Sequence, residues 1–150
     1  DNRDLHSFPT RRSSDLVRTG CDITLVVSGT LLATAMEVAA RLETMGIEAD
    51  LLEYHTLKPF DQASLVASAS STGAVVSIEE HTIIGGLGGA VAETLSENCP
   101  VRLKRLGIRD TFGESGAYQE LLSRHGLSPD IMAEEIKHWY GRGSEDLQQA

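Results

Sequence analysis

The chain has 150 residues, 41% of them hydrophobic and 5% aromatic, which fits one domain with an aliphatic core and leaves no room for a second catalytic domain. A formal net charge of −9 argues against nucleic acid, whose phosphates demand a basic surface. No apolar run approaches the roughly 18 residues that span a bilayer, and no secretory h-region is visible, so the sequence reads as cytoplasmic.

In chain order, Ser7-Phe-Pro-Thr-Arg-Arg-Ser-Ser-Asp-Leu16 matches the translation of a common sequencing-adapter oligonucleotide. Residues 1–16 are therefore expected to be non-native, disordered and outside the fold. Asp22–Ser28 predicts a first strand, with Ile23, Leu25, Val26 and Val27 as a buried run. A helix follows the Gly29-Thr30 turn, with Leu32, Ala35/Met36, Ala39 and Leu42 at helical spacing and Gly46 as its stop. Ile47–Tyr54 predicts a second strand. Thr56-Leu-Lys-Pro-Phe-Asp61 is a proline-stiffened connection, whose Asp61 caps a short helix reaching about Ser70.

The most informative stretch comes next. Ala74–Ile78 is an apolar run suited to a strand buried on both faces. Glu79, Glu80 and His81 follow at its carboxyl end, where open α/β sheets place their crevices. Gly85, Gly86, Gly88 and Gly89 lead into a helix through Ala90–Leu95 whose free amides could receive an anion. Val91 stands where a dinucleotide fingerprint needs its third glycine, and no Lys-Ser/Thr follows as in a phosphate loop. Tight packing of helix on sheet is the simpler use of these glycines. Glu79, Glu80 and His81 could do acid/base work only if the backbone turned to bring alternating side chains together, so a hydrogen-bonded interface corner is the favoured reading.

Asn98-Cys-Pro100 closes the helix before a strand at Val101–Leu106 that carries the basic cluster Arg102, Lys104 and Arg105, read as a solvated or edge face. Beyond the irregular Phe112-Gly-Glu-Ser-Gly116, Ser115 is expected to cap a helix presenting Tyr118, Leu121 and Leu122, with Gly126 as its stop. Ser128-Pro129 starts a last helix with Ile131/Met132, Ile136 and Trp139/Tyr140 on its apolar face, and residues 141–150 read as a polar tail. Cys21 and Cys99 lack CxxC spacing, and His55, His125 and His138 show no metal-binding spacing. The alternation of strands and helices gives the fold class: α/β, a three-layer open, mostly parallel sheet of about five strands with helices on both faces.

Four segments in this order, Asp22-Ile-Thr-Leu-Val-Val-Ser-Gly29, Thr56-Leu-Lys-Pro-Phe-Asp61, Ser77–Glu93 and Asp110–Gly116 followed by Glu120-Leu-Leu and Gly126-Leu-Ser-Pro, resemble the C-terminal domain of transketolase over residues 17–140. The match is nearest in flavour to the C-terminal subunit of two-chain transketolases. The C-terminal domains of deoxyxylulose-phosphate synthase and of 2-oxoacid dehydrogenase beta subunits are similar in fold. The resemblance implies an enzyme that moves a two-carbon ketol unit between sugar phosphates, as in the pentose phosphate pathway, with thiamine diphosphate and a divalent metal, magnesium or calcium.

It also implies that those groups, and the catalytic residues, belong to domains or a subunit outside this chain. No catalytic, cofactor or metal residue transfers to it. Its expected partners are those thiamine-diphosphate-binding parts, in a homodimer or heterotetramer. Glu79, Glu80, His81, Gly85, Gly86, Gly88 and Gly89 carry over as interface candidates. An apolar face left bare by the missing parts should make the isolated chain prone to associate. The alternatives are the same domain of a synthase or dehydrogenase relative, or a stand-alone α/β module that binds an anionic metabolite in the glycine-rich crevice.

Overall fold

A computed structural model describes residues 13–28, 31–82, 86–108 and 127–149. Five strands form one sheet: β1 (Ser14–Arg18), β2 (Ile23–Ser28), β3 (Ala49–Tyr54), β4 (Ala74–Thr82) and β5 (Arg102–Ile108), in the order β1-β3-β2-β4-β5. The β3–β2–β4–β5 pairs are parallel, and β1 joins β3 antiparallel at one edge. The helices are α1 (Leu32–Thr44), α2 (Gln62–Thr72), α3 (Leu87–Asn98) and α4 (Pro129–Gln149). Among the described residues no helix is long and apolar enough to cross a membrane.

Strand β2 lies mid-sheet and is apolar because both its faces are covered. Ile23, Leu25 and Val27 pack with Ala35, Val38, Ala39 and Leu42 of α1 and with Met132, Ala133 and Ile136 of α4. On the other face Val26, Leu52, Tyr54 and Val75 meet Leu65 and Ala69 of α2 and Leu87, Val91 and Leu95 of α3. The three-layer α/β architecture expected from the strand-helix alternation is thus present.

Local signals explain the helix ends. Asp61 caps α2, its carboxylate accepting from the Ser64 amide at 3.1 Å. That helix runs two residues past Ser70 and stops at Gly73, which adopts φ +76°. Gly46 likewise takes φ +83° after α1.

Three expectations need correction. Residues 14–16 are inside the fold, because β1 pairs Ser14 with Tyr54, Asp15 with Glu53 and Leu16 with Leu52. Edge pairing is made by backbone groups, so it asks little of side-chain identity. Residues 141–149 are not a frayed tail, since α4 continues through them. Arg102 explains how: its guanidinium stacks 4.2 Å from the Trp139 ring centroid and donates to the Trp139 carbonyl at 2.6 Å. It lies where a Cβ on residue 143 would be, so Gly143, which reads as a helix breaker, is what lets the arginine reach the helix.

The third correction concerns β4, which runs past Ile78 to Thr82, so Glu79, Glu80 and His81 belong to the strand. Its pairing with β5 shifts between Ile78 and Thr82. The four-residue step there faces only two on β5, a bulge of the kind that re-aims side chains. The expectations for Gly85, for Ser115, Tyr118, Leu121 and Leu122, and for His125 and Gly126 lie outside the described residues.

The basic cluster on β5 is engaged inside the domain. Arg102 docks on α4, and Lys104 pairs with Glu135 of α4 at 2.9 Å. Cys21 and Cys99 are free thiols. Carboxylates at Asp22 and Glu48 push the Cys21 thiol up, away from a reactive thiolate.

Candidate functional site

In open α/β sheets the crevice forms where neighbouring strands send their helices to opposite faces. Here β2 leads to α1 on one face while its neighbour β4 leads to α3 on the other. The carboxyl ends of β2 and β4, and the turn into α3, therefore mark the switch point, which is where the glycine-rich segment falls.

Glu79 is 3% exposed, and its carboxylate faces the start of α3. It accepts hydrogen bonds from the Leu87 amide at 2.8 Å and the Gly88 amide at 3.0 Å. The first four amides of a helix have no partner within it and carry the positive end of its dipole, so they favour an anion. Each hydrogen bond to such a charged group is worth about 1.5–3 kcal/mol. The anion that the sequence suggested for this helix end is supplied by the chain itself.

Gly88 makes the approach possible. A Cβ there would lie 3.0 Å from Glu79 Oε1, from Ser77 Oγ and from Arg105 Cδ at once. Gly89 faces open space, so packing does not demand glycine there. Of the sequence candidates, the structure brings together Glu79, Gly86 as the residue before α3, and Gly88. Glu80, next along β4, is half-buried, and His81 follows it on the strand.

A second polar cluster was not foreseen. His55 Nε2 lies 2.8 Å from Asp15 Oδ2 of β1, and its Nδ1 lies 3.9 Å from Glu53 Oε1. These three groups are close enough to suggest a cation site. The two carboxylates address opposite ring nitrogens, however, which suits a protonated imidazole better than a metal that would use one of them. The hydrogen bond to Asp15 pushes the His55 pKa up; desolvation opposes it, and the Glu53 and Asp15 charges add to the rise. Glu53 near the end of β3 and His55 just past it are a pair the sequence shows; Asp15, which lies in the adapter-like stretch, is not shown by it.

A raised folded pKa means that this contribution is fully present below about pH 6.5 and is lost as pH rises through the raised value. We expect His55→Gln to lower the unfolding midpoint at about pH 5.5 and to have little effect at about pH 8.5. Equal effects at both pH values would show that the charge on His55 does not help hold β1.

The Lys-Pro-Phe-Asp connection is packed around Tyr54. Its ring stacks on Phe60 with centroids 4.4 Å apart, and its hydroxyl donates to the Asp61 carbonyl at 2.5 Å. Burial pushes the Tyr54 hydroxyl well above its ordinary range. Asp61 Oδ2 also accepts from Ser14 Oγ at 2.6 Å, tying β1 to the start of α2. An open groove of about 510 Å³ lies between α2 and the β1–β3 edge, with Leu16 and Leu52 among its apolar lining and Asp50 and Asp61 as its carboxylates.

Comparison with known proteins agrees with this architecture. The family described as "Transketolase, C-terminal domain" matches residues 13–132. The 6-deoxy-6-sulfo-D-fructose transketolase subunit SqwH of Clostridium sp. (strain MSTE9) is 46% identical over 79% of this chain and 37% of its own length. The 1-deoxy-D-xylulose-5-phosphate synthase of Chlorobium phaeovibrioides (strain DSM 265 / 1930) is 37% identical over 86% of this chain and 21% of its own. A solved split-gene transketolase, described as an inactive beta4 tetramer, is 43% identical with a TM-score of 0.79, covering 83% of this chain and 41% of that one. The chain thus spans less than half the length of each of these relatives, and it belongs to the transketolase C-terminal domain family.

Proposed function

We propose that this chain is the C-terminal part of a transketolase-type enzyme and serves assembly and the dimer interface, without chemistry of its own. Transketolase-type enzymes generally depend on thiamine diphosphate. A diphosphate would need free amides or cations; the Leu87 and Gly88 amides at the start of α3 are taken by Glu79, and Arg102 and Lys104 are committed to α4, so this crevice does not fit it. The chemistry would be two-carbon ketol transfer between sugar phosphates, performed by the parts of the enzyme that hold the cofactor and its magnesium or calcium.

The single observation that carries this reading is the glycine-rich helix start, closed by the protein's own carboxylate. A helix start held in this way offers a fixed surface to a neighbour, and a cofactor held between protein parts gains rate from fixed geometry. Exposed Leu16, Met36 and Ile131, at 56%, 50% and 44%, leave apolar surface for such neighbours. The 46% identity to a transketolase subunit favours that branch over the synthase, at 37%.

We expect the purified chain to show no ketol transfer and no thiamine-diphosphate binding by calorimetry. Joining it to the cofactor-binding parts encoded at the same locus should restore an assembled enzyme. Micromolar cofactor binding by the chain alone would overturn the proposal.

A further inference from the structure

We infer that the Glu79 carboxylate is a built-in anion that bars phosphate-type ligands from the glycine-rich crevice and pins the start of α3. This goes beyond the assembly role proposed above and does not depend on it.

The inference begins with the number of groups competing for one place. A helix start has room for one tightly held anion, and Glu79 Oε2 and Oε1 already take the Leu87 and Gly88 amides at 2.8 and 3.0 Å. The carboxylate approaches from β4 beneath the helix, through the gap left by the missing Cβ of Gly88. An incoming phosphate would have to displace it and then sit beside it, two anions in one buried crevice.

Ser77 supplies an independent observation. Its hydroxyl is fully buried and has no hydrogen-bond partner among the described residues. It points to the same spot beside Gly88 as Glu79 Oε1, each being 3.0 Å from where a Cβ would sit. With the carboxylate removed, the crevice would hold a free hydroxyl and two free amides around a space of carboxylate size. That is an anion site, latent in the native protein because Glu79 fills it.

The test uses this chain, with inorganic phosphate and acetate as probes. In the native protein the Leu87 and Gly88 amide resonances should not respond saturably to either ion. In Glu79→Ala they should shift saturably, and the thermal midpoint, lowered by the substitution, should rise with acetate or phosphate but not with chloride at equal ionic strength. Saturable phosphate binding at these amides in the native protein would overturn the inference, as would a folded Glu79→Ala variant that neither binds nor is rescued.

If that variant does not fold, Glu79→Gln keeps the side-chain length. Its amide in place of the carboxylate should raise hydrogen exchange at Leu87 and Gly88 about tenfold relative to the rest of α3. Unchanged exchange in Glu79→Gln would equally overturn the inference. None of these readouts involves a partner, so a failed assembly experiment leaves them standing.

Discussion

Gly20→Ala is expected to destabilise the domain by about 3 kcal/mol. A Cβ on residue 20 would overlap the Ala49 backbone nitrogen, carbon and oxygen. Ala49 is fully buried at the start of β3, held between β1 and β2, so its backbone cannot give way as a flexible side chain would. The same close approach lets the Gly20 amide donate to Asp50 Oδ1 at 2.7 Å. Asp50 in turn accepts from Ser68 Oγ at 2.7 Å, and Ser68 meets Thr24 at 2.7 Å, so a shift at residue 20 disturbs a buried polar chain that reaches α2. Urea unfolding followed by circular dichroism should show a lowered midpoint with an unchanged slope. A loss below about 0.5 kcal/mol would mean that the β1–β2 connection relaxes freely.

The second large effect is expected at Ile136→Ala, at about 3 kcal/mol. Ile136 is fully buried in the core layer that α4 shares with α1 and the sheet. Removing its branched side chain leaves a cavity that close-packed neighbours fill only partly. Ile131, one turn and a half earlier and 44% exposed, is the control: its truncation should cost no more than about 0.5 kcal/mol. Similar losses at both sites would contradict the packing of α4 against α1 and the sheet.

The two outcomes bear on what was legible in the sequence. Central strands are plain because burial on both faces leaves an unbroken apolar run, as in Ile23–Val27. Helix α2 is plain because Asp61 is a capping side chain in the right place. Strand β1 was not, since its pairing is made by the backbone and its residues resemble foreign sequence. The last two turns of α4 were hidden for another reason. Gly141 and Gly143 signal a break, and only the fold brings Arg102 across from β5 to occupy the space above Gly143.

The candidate site was half legible. A glycine-rich turn after a strand gave the location, and carboxylates on that strand gave the chemistry. What no spacing rule supplies is that Glu79, rather than Glu80, faces α3. That depends on the face to which β4 presents its odd-numbered residues, with Val75, Ser77 and Glu79 together on the α2–α3 side. It also depends on how closely the helix start can approach once Gly88 has no Cβ.

The Glu79 clasp bears on chain length as well as on ligands. The bond from the Leu87 amide to Glu79 closes a ring across eight positions, so the chain between them enters and leaves at fixed points. The entropy of closing such a ring grows only with the logarithm of its length, about 0.6 kcal/mol for each doubling. Residues added between these two points would therefore leave the register of β4 and the seat of α3 in place. The length of chain between β4 and α3 can thus change without refolding the core.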